Sequence, residues 1–140
     1  MAGSVESGQR WLVLRGCVMS FPIKEALTVT TSTGGAATAY TSQIRGLLDY
    51  IVYVKDDFAN GVDFTITTED TGLDLWDEDN VNSSKVHPAR QASVLPDGTA
   101  LTFNGSQVVA DRIAIAGERV KVVIDNGGSE KSGTFYFVYD

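Results

Sequence analysis

Apolar and polar residues alternate with period two through most of this chain. In "GVDFTITTEDTGLDLWDEDN", residues 61–80, Val62, Phe64 and Ile66 fall on one side of an extended backbone and Asp63, Thr65 and Thr67 on the other. That is the pattern of an antiparallel strand wet on one face. "TEDTG" then supplies acidic turn residues and Gly72, which takes positive φ readily, before "LDLW" puts Leu73 and Leu75 on one face. The stretch predicts a β-hairpin. Asp74, Asp77, Glu78, Asp79 and Asn80 are expected at its solvated end, a wet rim whose charges resist edge-to-edge pairing.

The same reading extends along the chain. "RWLVLRGCVMSF" is a strand-like stretch closed by Pro22, and "EALTVTTSTGG" is a Thr-rich one closed by Gly34 and Gly35. In "TAYTSQIRGLLDYIVYVKDDF" the run Ile51, Val52, Tyr53, Val54 is β-branched or aromatic and Gly46 is a poor helix residue, so strand wins over helix. Both faces are apolar from Tyr50 to Val54, which predicts a central strand covered on each side, or one covered by a neighbouring subunit. "LPDG" is a turn, and "NVNSSKVHPARQASVLPDGTALTF" around it mixes loop chemistry with short strands. "DRIAIAGERVKVVIDNGG" predicts one strand ending at Ala116 and another from Arg119 to Ile124. In the last strand, "TFYFVYD", Phe135, Phe137 and Tyr139 share a face.

Closely spaced strands without a helix predict an all-β fold, a single antiparallel β-sandwich or small β-barrel of jelly-roll or β-tulip type. Residues 1–10, small and polar, read as a flexible N-terminal arm, and residues 11–140 as a single β-domain. At 140 residues with 43% hydrophobic content, one core is affordable without disulfide or metal.

Charge narrows the partners. With 18 Asp and Glu against 11 Lys and Arg the net charge is −7, and there is no basic run, so nucleic acid and anionic lipid surfaces are not expected partners. No apolar run approaches the about 20 residues of a membrane helix, and "MAGSVESGQR" lacks the basic start and apolar stretch of a signal peptide, so a product of the cytosol is expected. Cys17 is the one cysteine, in apolar surroundings without an activating partner, and reads as an inert thiol.

No residue constellation predicts catalysis or a cofactor. Counted from Asp77 as an EF-hand loop, the fifth position is Val81, the sixth Asn82 where glycine is required, and the twelfth Pro88; a looser calcium loop in 74–80 stays open. His87 is the one histidine and has no ligand-spaced companion. Ser83, Ser84, His87 and several Asp supply the residue types of a triad without a nucleophile elbow, and "STGGAAT" lacks the ending of a phosphate loop. Trp11, Tyr40, Trp76 and Tyr136 are either core and interface aromatics or a sugar-stacking platform. The expectation is a protein that is not an enzyme.

Four segments carry a family resemblance: Arg45-Gly46-Leu47-Leu48, Asp63 to Gly72, Ala116 to Ile124, and Gly127 to Phe135. They resemble an "RG-x-L" strand, a "DFTITTE-x-TG" hairpin, an "L-x-x-ERVKIVI" strand and a "GG-x-x-KSGTF" turn shared by a family of small tailed-bacteriophage proteins. The resemblance spans roughly residues 44–140. It implies a virion structural component without a catalytic set. It does not fix which one; among virion roles the acidic charge favours a capsid cement or decoration protein, made in the host cytoplasm and carried on the outer capsid surface, where an acidic domain avoids the packaged DNA. The small arm, able to order on a neighbouring shell protein, and the two apolar faces of the Tyr50 strand suggest as partners the major capsid protein and the chain itself, as a homotrimer, with Val5, Arg10, Trp11, Tyr50, Val52 and Val54 as interface residues. The alternatives are a neck or tail component, or a carbohydrate- or receptor-binding module on the virion.

Overall fold

A computed structural model describes residues 21–140, so the expected arm, Cys17 and the strand from Trp11 to Ser20 lie outside the described residues. Eight strands follow: β1 (Ile23–Thr30), β2 (Ala37–Val54), β3 (Val62–Thr68), β4 (Asp74–Val81), β5 (Lys85–Pro88), β6 (Arg90–Ala92), β7 (Ala110–Asp125) and β8 (Ser132–Tyr139). There is no helix among the described residues. The fold is all-β, as the alternation predicts.

Every pairing is antiparallel. The order β1-β8-β2-β7-β3-β4 forms one sheet, with β5 also on β2 and β6 also on β7. The sheet is not closed by a β4–β1 ladder, which sets aside the barrel. It nevertheless folds over on itself. Phe64 of β3 and Phe135 of β8 are separated by β2 and β7 in the order, yet their rings meet edge-on at 5.2 Å. Tyr53 stands between them, 5.1 Å from Phe64 and 5.2 Å from Phe135. One core cluster results, built from Leu48, Ile51, Ile66, Val122, Ile124, Phe137 and their neighbours.

The bend is made by the two long strands. β7 is continuous through Gly117, which corrects the expected break between Ala116 and Arg119. Gly117 sits at φ +73° where the β2–β7 register slips between Ile44 and Arg45, so it is an inserted bulge residue in a running strand. β2 bulges in turn between Tyr40 and Gln43, and there the Thr41 hydroxyl accepts the buried Val120 N–H at 3.0 Å.

The β3–β4 hairpin forms as expected, with two corrections. Residues 74–80 are not its solvated end but most of β4 itself, the edge strand next to β3. Leu73 and Leu75 do not share a face: a register irregularity between Ile66 and Thr67 leaves Leu73 exposed and puts Leu75 and Trp76 both in the core. The LPDG turn forms with Gly98 at φ +90°, and Phe135, Phe137 and Tyr139 are all buried as one face.

Candidate interaction surface

Cross-strand partners share a sheet face, so register fixes what the outer side of β1, β8, β2 and β5 presents. One row runs Ala26, Tyr136, Val52, Val86. The next runs Lys24, Val138, Tyr50, Pro88, and a third Thr28, Thr134, Val54. Ile51 and Tyr53, between them on β2, point to the core and are wholly buried. β2 is therefore central, and among the described residues no other strand lies over its second face.

The face is apolar in its middle and polar at its borders. Tyr50 is 37% and Val86 62% exposed, while Val52, Val54 and Tyr136 are half-buried. The Lys24 ammonium lies 5.1 Å from the Tyr136 ring centroid at one border. At the other, the Thr134 hydroxyl donates to Asp56 at 2.9 Å. Tyr50, Val52 and Val54, expected at an interface, are thus brought together on one surface. Val5, Arg10 and Trp11, expected there too, lie outside the described residues.

A second apolar surface escaped the sequence reading. Between β6 and β7 the chain makes an arm of two successive hairpins. Ser93 N–H donates to Val109, Leu101 N–H to Ser93 and Val109 N–H to Leu101, at 2.8–2.9 Å. Its turns are fixed locally: Asp97 accepts the Thr99 N–H at 2.9 Å, and Asn104 Oδ1 accepts those of Ser106 and Gln107. No residue between Ala89 and Ile113 belongs to the core. Val94, Leu95, Leu101, Phe103 and Val108 are all exposed, Phe103 by 70%.

Elsewhere, polar groups are spent on structure. In β4, Asp77 accepts the Thr65 hydroxyl at 3.3 Å, and Glu78 accepts the Trp76 indole N–H at 2.8 Å and pairs with Lys85. His87 stacks on Trp76 with ring centroids 4.7 Å apart, and burial holds its imidazolium pKa below the usual histidine range. Trp76 is only 5% exposed and Arg119 covers Tyr40 at 4.2 Å, so neither offers an open stacking platform. Among the described residues no three His, Cys, Asp or Glu side chains gather as a metal site. The hollow between Gly34, Gly35, Asn126 and Gly128 is lined by uncharged groups.

Three of the four segments that carry the family resemblance meet around Gly117 and Glu118, and the fourth reaches the second through the Phe135–Phe64 ring contact. The Arg45 guanidinium lies against Gly117, so close that a β-carbon there would stand 3.0 Å from it. Glu118 reaches the hairpin turn and accepts the N–H groups of Asp70 at 2.7 Å and Thr71 at 3.0 Å. Those bonds, the Thr71 amide first, hold its carboxyl below the usual glutamate range. Gly133 packs against the ring of Phe58, and Gly127 N–H donates to Gly35 at 2.9 Å. These residues build the fold.

Comparison with protein-family models, with curated proteins and with solved structures finds no match.

Proposed function

We propose that this protein is a non-enzymatic structural component of a tailed-bacteriophage virion, a cement or decoration protein on the outer capsid surface. The observation that carries the reading is the apolar outer face of β1, β8, β2 and β5, with Tyr50 and Val86 exposed and Val52 half-buried at its middle among the described residues. A broad apolar face on a folded domain is a place for another protein. The net charge of −7 agrees with a position away from the packaged DNA. The partners in this reading are the major capsid protein and further copies of the chain, as a homotrimer.

The test is decoration in vitro. Empty capsids lacking the protein are incubated with it, and bound protein and shell melting temperature are measured. Saturable binding that raises the melting temperature is expected. Shells that neither bind the protein nor gain stability overturn the cement role and leave a place in the neck or tail. Burial of Trp76 speaks against the sugar-binding alternative, since truncating a core side chain there reports on folding and not on a ligand.

A further inference from the structure

We infer that the apolar arm 93–109 of one copy of this chain seats on the outer face of β1, β8, β2 and β5 of the next copy. The inference deepens the self-association within the proposed function and does not depend on the virion. Three observations lead to it.

The arm has no core of its own. Backbone hydrogen bonds and turn side chains hold its two hairpins, while Val94, Leu95, Leu101, Phe103 and Val108 face water. An isolated pair of strands is marginal in water, so a cover for these side chains accounts for their placement.

The charges fit a second copy. Two copies at −7 each repel on average, so a contact between them belongs where the negative charge is not. Between Ser93 and Val109 the one ionisable side chain is Asp97. On the outer face the central row, Ala26, Tyr136, Val52 and Val86, holds no Asp, Glu, Lys, Arg or His, and its borders carry both signs, Lys24 at one and Asp56 at the other. Seven of the carboxylates lie on the β3–β4 hairpin, at Asp63, Glu69, Asp70, Asp74, Asp77, Glu78 and Asp79.

The topology fits as well. Arm and face are different patches of one chain, so each copy can give an arm and receive one, in a closed ring such as a trimer or in a dimer that exchanges arms.

The test uses the full chain and two variants at strongly exposed positions, Phe103→Asp on the arm and Val86→Asp on the face. Circular dichroism and melting first establish that both are folded. Native mass spectrometry and light scattering then give the masses. The wild type is expected to be oligomeric and each variant monomeric. Mixing the two variants is expected to restore a one-to-one pair, because the Val86→Asp copy retains an arm and the Phe103→Asp copy retains a face. A monomeric wild type up to the highest soluble concentration overturns the inference. So does an oligomer that Val86→Asp leaves intact, which is the mark of arm-to-arm pairing, or a variant mixture that stays monomeric. Shell binding is read separately on the wild type, so a failure of self-association and a failure of shell binding are distinguishable.

Discussion

Gly46 stands at φ +138°, and a β-carbon on it would lie 2.4 Å from the backbone oxygen of Asp140, where Leu47 and Asp140 exchange hydrogen bonds at 2.9 and 3.1 Å. The obstacle is main chain, which cannot swing aside. Gly46→Ala is expected to cost at least the about 1–3 kcal/mol of a strained backbone residue, read as a lower urea midpoint with unchanged slope. Tyr53 gives the opposite case. Its hydroxyl is buried without a partner among the described residues, and desolvation first, then the Asp56 charge, pushes its pKa up to about 12. An unpaired buried hydroxyl costs about 1–3 kcal/mol, so Tyr53→Phe is expected to leave stability unchanged or raise it by about 1 kcal/mol. The raised pKa means the unfolded chain loses this proton first as pH rises above its ordinary value of 10.0. The wild type therefore loses stability between there and about 12, and Tyr53→Phe is expected to lose less, by denaturation at several alkaline pH values. Glu118 works at the acid end. Its carboxyl is held low by the Thr71 and Asp70 amides, so its contribution is whole above the ordinary glutamate range and vanishes as pH falls through the lowered value. Glu118→Gln is expected to lower the melting temperature at neutral pH and to flatten its decline in acid.

At the scale of elements, β4 and β5 are joined by side chains where no ladder joins them: His87 stacks on Trp76, and Lys85 pairs with Glu78. Burial disfavours the charged form of His87, so the native state takes up its proton later than the unfolded chain, and stability falls as pH drops below the ordinary histidine value of 6.5. His87→Phe keeps an aromatic ring on Trp76 and is expected to flatten the melting temperature between about pH 7 and 5, whereas His87→Ala lowers it throughout. Strand identity was legible in the sequence because period-two alternation survives wherever one face is buried, as in β3 and β8. Bulges were not. Gly117-Glu118 reads as a turn because glycine beside a charged residue is turn chemistry, and only register shows a strand running through. The carboxylates of β4 read as a rim for a similar reason, since an edge strand tolerates charge that a central one does not. Tyr50, Val52 and Val54 were legible because apolar residues occupied both parities of one strand. The rest of the surface was hidden: Val86 sits among loop-forming residues, and the apolar residues of the arm are separated by turns that break every window of alternation.

At the scale of the whole molecule, the proposed structural role rests on contact surfaces. Among the described residues, acidic side chains cap turns, pair with Lys and Arg or line an edge strand, and two groups of exposed apolar residues stand out, one on a sheet face and one on the arm. A long-lived shell component is expected to need such surfaces and no pocket with converging ionisable groups. The measurement that tests this most directly is quantitative mass spectrometry of purified virions. The account predicts this polypeptide in the particle at a copy number comparable with that of the major capsid protein. Particles that lack it, or that carry it at the number of a single neck or tail ring, contradict the account.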